Sequence, residues 1–106
     1  MDEFGINQIY VLHSYSHSNN ISFARVIGIT KNENPRLELL SKSTTMLECS
    51  NSHNIYRVVP LDGGIEVKVA KLDTLTDEWN VSFKNYKFRI AELYDPSKKY
   101  EYVIRH

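Results

Sequence analysis

The sequence predicts an all-β domain, mainly antiparallel, built as a small sandwich or barrel of roughly eight short strands with at most one short helix. Three observations point there. Apolar and polar residues alternate with a period of two through most of the chain. Turn-forming clusters of Asn, Ser, Asp, Gly and Pro interrupt the alternation at intervals of about ten residues. Residues 55–71 place two apolar runs on either side of Asp62-Gly63-Gly64. An α+β fold is the alternative, because two stretches also admit a short helix.

The elements follow in order. Residues 1–7 read as a short, frayed lead. From residue 8 to 17, Ile9, Val11, His13, Tyr15 and His17 share one face of a strand. The Ser/His/Asn-rich residues 16–20 then turn the chain. Residues 21–30 form the second strand, with Phe23, Arg25, Ile27 and Ile29 on one face. It is close enough to the first to pair as a hairpin, and Gly28 marks a bulge or a close approach.

Residues 36–50 mix both periods at Leu37, Leu39 and Leu40. Asn34-Pro35 resembles an N-cap followed by a first-turn proline, which favours a short helix. The preferred reading is strand, turn at 41–43, strand. In residues 55–71, Ile65, Val67 and Val69 alternate with Glu66, Lys68 and Ala70. The Asp-Gly-Gly cluster tolerates positive φ, so the segment reads as a β-hairpin. Pro60 lacks an N–H and belongs at a strand end or edge. The first arm carries bulk on both faces and should be the more buried.

Leu72, Leu75 and Trp79 fall at i, i+3 and i+7, which suggests one or two helical turns. Alternatively, Trp79 opens the next strand, through Phe83. Lys84-Asn85 fits a tight turn, residues 86–93 a strand, residues 94–98 a turn with Pro96, and Tyr100, Tyr102 and Ile104 a closing strand.

The 106 residues suffice for a single domain spanning residues 1–106. Lys plus Arg and Asp plus Glu number 13 each. That balance argues against a dedicated DNA binder, which carries a basic excess, and against an acidic DNA mimic. A lone cysteine, Cys49, excludes an internal disulfide and reads as a small half-buried residue. The acidic N-terminal stretch is not a signal peptide, and no run nears the roughly 20 apolar residues that span a bilayer. The cytoplasm is the expected location, with no membrane partner.

Several classes of site can be weighed. Histidines 13 and 17 would stand about 13 Å apart on one strand face, at about 3.3 Å per residue, too far to share an ion. No further ligand set completes a metal site, so neither a metal nor a cofactor is expected. A phosphodiesterase or ribonuclease would use His13, His17 or His53 as acid and base. The run 83–89 interleaves aromatics with Lys84, Lys87 and Arg89, a pattern that binds RNA or single-stranded DNA when its aromatic face is exposed. Seven tyrosines are present, four of them after residue 85. Tyrosine joins a large apolar body to a polar tip and is enriched at protein interfaces. The expectation is therefore a small non-enzymatic module of the inhibitor, immunity or phage accessory type. It would bind another protein through Tyr94, Tyr100 and Tyr102. Nucleic-acid binding and histidine-based hydrolysis are the alternatives.

Overall fold

A computed structural model describes residues 3–15 and 20–106. His17 and most of the expected 16–20 turn lie outside them. Eight antiparallel strands form: β1 (Ile9–Ser14), β2 (Ile21–Ile29), β3 (Pro35–Cys49), β4 (His53–Val69), β5 (Lys71–Asp73), β6 (Glu78–Phe83), β7 (Tyr86–Leu93) and β8 (Tyr100–Arg105). Among the described residues there is no helix, and so none long and apolar enough to cross a membrane. All eight strands belong to one sheet, in the order β5-β6-β7-β1-β2-β3-β4-β8.

The sheet curls because one length of chain serves both of its sides. β4 pairs with β3 as far as Val69, and after Ala70 the same strand continues as β5 and pairs with β6. Ala70 is fully buried at this corner, and its N–H donates to Pro35 O at 2.9 Å. A small side chain fits where the two halves converge.

Curling creates an inside. Tyr10, Leu12, Ala24, Val26, Leu37, Leu39, Val81, Phe83, Phe88 and Ile90 fill it. Phe4, Tyr10 and Trp79 close one end with edge-to-face rings 5.2 Å apart. The expected frayed lead is thus tied down: Phe4 packs on the core and Asn7 N–H donates to Val26 O at 2.7 Å. A second core lies on the opposite face of β1 and β2. It joins Val11, Ile21, Phe23, Leu40, Val58 and Tyr100, with Ile9, Tyr94 and Tyr102 against them. Both faces of these strands are buried. This explains the mixed periodicity at residues 37–40, where Leu37 and Leu39 face one core and Leu40 the other.

The longest strands correct two expectations. Residues 36–50 make neither a helix nor a strand–turn–strand; they belong to the 15-residue β3. Residues 55–71 are not a hairpin, since 53–69 run as the single 17-residue β4. Asp62-Gly63-Gly64 forms a bulge instead of a turn. Leu40 faces Gly64 and Lys42 faces Pro60, so residues 61–63 stand opposite Ser41 alone. Positive φ suits a bulge as well as a turn, and Gly63 has φ 104°. Pro60 sits where β4 has β3 on one side only, the edge position its missing N–H requires. Gly63→Val should cost about 2 kcal/mol, because a β-branched residue cannot relax at that φ. Chemical denaturation would measure this, and an unchanged midpoint would contradict it.

The shorter connections match their chemistry. Lys84 and Asn85 have φ 51° and 67°, so β6 and β7 join in a two-residue turn. Gly28 follows a register shift after Val26, where Ile27 is the extra residue. Residues 74–77 form a turn, not a helix, with Leu75 N–H donating to Asp73 Oδ1. Leu75 is 95% exposed, while Leu72 and Trp79 pair across β5 and β6.

Candidate binding surfaces

β3, β4 and β8 extend beyond the curled sheet as a three-stranded arm, which gives the molecule its 50 × 30 × 24 Å shape. Cross-strand partners share a face. Val58 pairs with Thr44 and Tyr100, and Tyr56 pairs with Met46 and Tyr102. One arm face therefore starts in the second core at Val58 and Tyr100 and runs outward through Tyr56, Tyr102 and Met46. The Tyr56 and Tyr102 rings stack with centroids 5.2 Å apart and 23° between planes. Both are half-buried, and Met46 beyond them is 53% exposed. Burial, with Tyr56 alongside, raises the Tyr102 pKa above the ordinary phenol value. Val59 and Val103 lie on the opposite arm face beside an Arg57–Glu101 ion pair at 3.0 Å.

The expected tyrosine patch is divided by this geometry. Tyr100 is only 6% exposed and packs on Phe23 and Tyr94. Its hydroxyl accepts the Asp95 N–H at 3.0 Å. Tyr94 is half-buried with its ring 5.5 Å from Phe23. Tyr102 alone of the three points along the arm, where Tyr56 and Met46 join it. Cys49, expected to be half-buried, is exposed near the arm tip.

The histidines stay apart. His13 lies on β1 opposite Ile21 and Arg89. Burial first, then the Arg89 charge, lowers its pKa below the ordinary imidazole value. His53 sits at the arm tip, held by Glu48 Oε2 at 2.6 Å and Ser52 Oγ at 3.0 Å. No hydrogen bond joins the two. Among the described residues no cluster of His, Cys, Asp and Glu could hold a metal.

The basic run splits between two places. Phe88 is buried in the inner core, so alternation turns Lys87 and Arg89 outward. Lys84 stands in the turn between β6 and β7. Beside it a cavity of about 370 Å³ is lined by Leu39, Leu40, Ile65, Phe83, Tyr86 and Phe88, with Lys42 and Lys84 at its rim. Lys42 donates to Ile21 O (2.5 Å), Asn20 Oδ1 (3.2 Å) and Ser22 Oγ (3.3 Å). Burial, then the Lys84 charge, lowers its pKa.

No family model, curated protein or solved structure matches the chain. Reading strands singly missed two things. Met46 and Tyr56 join Tyr102 only through the β3–β4–β8 register. Lys68 and Lys71 line one cavity with Lys87 only because β4 continues into β5. The residue types were visible in each segment, but the pairing that gathers them was not.

Proposed function

We propose that this chain is a small, non-enzymatic, cytoplasmic module that grips another protein with the tyrosine-bearing face of its arm. One observation carries this reading: a stacked Tyr56–Tyr102 pair and an exposed Met46 continue the second core outward along a projecting sheet. Tyrosine and methionine are enriched at interface centres, where each supplies much contact area. The pair is already stacked, so little side-chain freedom is lost when a partner arrives. An inhibitor or immunity protein would work in this way, by covering a surface of its target.

The test compares the two faces of the arm. The chain is used as bait, and the protein recovered with it in fixed stoichiometry is titrated against variants. Met46→Glu with Tyr102→Ser should weaken that complex on the order of 100-fold or more, the scale of removing two central anchors. Val59→Ser with Val103→Ser, on the other face, should leave it within about threefold. Circular dichroism would verify that both variants fold. Retained affinity in the first pair would reject the arm face as the docking surface.

A further inference from the structure

The outer face of β5, β6 and β7 lies away from the arm and carries a separate set of groups. Lys71 pairs with Asn80, and Asn80 with Arg89, so these three side chains stand in one row across the strands. Ser82 pairs with Lys87 in the adjoining row. The Tyr15 N–H donates to Lys87 O, which places Tyr15 beside it. Lys68, Lys71 and Lys87 together line a shallow cavity of about 370 Å³ with Asn80 and Ser82.

The cations outnumber the carboxylates on this face, although the whole chain is neutral. Glu38, Glu48, Glu92 and Glu101 are engaged by Arg25, His53, Lys98 and Arg57 elsewhere. None of Lys68, Lys71, Lys87 and Arg89 has a carboxylate within ion-pair distance among the described residues. Asp73 and Glu78 pair one row further toward the β5–β6 turn and bound the patch there. Neutrality over the sequence therefore conceals a local positive field.

Spacing selects the kind of anion. With strands about 4.8 Å apart, Lys71 and Arg89 arise about 10 Å from each other, and Arg89 and Lys87 about 7 Å apart along β7. That spread exceeds one phosphate and suits several in succession. An aromatic ring stands in the same patch. Tyr15 is 47% exposed, Lys87 Nζ lies 5.4 Å from its ring centroid, and its hydroxyl is tied to Glu78 Oε1 and Asn80 Oδ1. The ring is thus held in place beside the cations, as a base-stacking platform requires. We infer that this face binds single-stranded nucleic acid, with Lys71, Lys87 and Arg89 on successive phosphates and Tyr15 against a base.

The experiment titrates the chain with a dye-labelled oligothymidylate of about 12 nucleotides, near the span of small single-strand sites. Anisotropy should rise at low salt. Three phosphate contacts predict a slope of log K against log salt near −2.1, from about −0.7 per contact. Lys71→Gln with Lys87→Gln should lower affinity on the order of tenfold or more and bring the slope to about −0.7. Tyr15→Leu should weaken binding at least about fivefold with the slope unchanged, since stacking releases no counterions. Lys99→Gln, an exposed lysine outside the patch, should change nothing. The inference is overturned by an absent anisotropy change, by a flat salt response, or by equal losses in Lys99→Gln and the patch variant. Tighter binding of a duplex of the same length would also overturn it. The arm-face variants of the protein-binding test should bind the oligonucleotide normally, so the two proposals stand or fall separately.

Discussion

Phe23→Ala should remove about 3–5 kcal/mol of folding stability, the usual cost of truncating a buried phenylalanine. The ring is fully buried in the second core. It meets Tyr94 edge-on at 5.5 Å and Tyr100 edge-on at 5.9 Å. The expected cost combines lost apolar burial with an unfilled space that rigid strands cannot close. A domain of this size is held by about 5–15 kcal/mol in total, so the change consumes a large share. Its effect should also be uneven. The inner core keeps all its residues, whereas β8 and the 94–99 connection lose the ring they rest on. Urea denaturation should show the midpoint falling by roughly 1–5 M, for slopes of about 1–3 kcal/mol per molar. Hydrogen exchange should accelerate first in β8. A loss below 1 kcal/mol would mean that the second core is not a structural unit.

That second core is also where single-strand reading reached its limit. Where one face of a strand is buried and the other wet, alternation shows it plainly. Residues 86–93 are such a case, with Phe88 and Ile90 inside and Lys87 and Arg89 outside. Where both faces are buried, alternation disappears. Residues 9–14 and 21–26 carry bulk on both sides because a core lies on each. The same cause made residues 37–40 ambiguous between helix and strand. At Asp62-Gly63-Gly64 the ambiguity was different. Turn and bulge require the same permissive φ, and only the unbroken partner β3 decides between them. The Lys84-Asn85 turn was legible, because both flanking segments alternate cleanly and pair with each other.

Sites followed a similar rule. Sequence could nominate Tyr102 and Lys87 because each lies in a recognisable local pattern. It could not nominate Met46, Tyr56, Lys68 or Lys71, which matter only through cross-strand register or through the β4–β5 continuity. Pairing between strands distant in sequence is set by global closure, and no residue announces it locally.

Tyr100 is where this distinction can be measured most directly. At an exposed position its replacement would be nearly silent for stability, since surface changes usually stay within about 0.5 kcal/mol. Its place in the second core predicts otherwise. Tyr100→Ala should cost about 3–5 kcal/mol, comparable to Phe23→Ala, because the ring fills space between Phe23 and Tyr94. Tyr100→Phe keeps the ring and removes only the hydroxyl that accepts the Asp95 N–H. It should cost about 1 kcal/mol, the usual net worth of such a bond. The ratio between the two variants separates packing from hydrogen bonding. Combining Tyr100→Ala with Phe23→Ala should cost less than the sum of the single changes, because each ring already loses its neighbour when the other goes. Strict additivity, or a Tyr100→Ala protein as stable as the parent, would place this tyrosine outside the core.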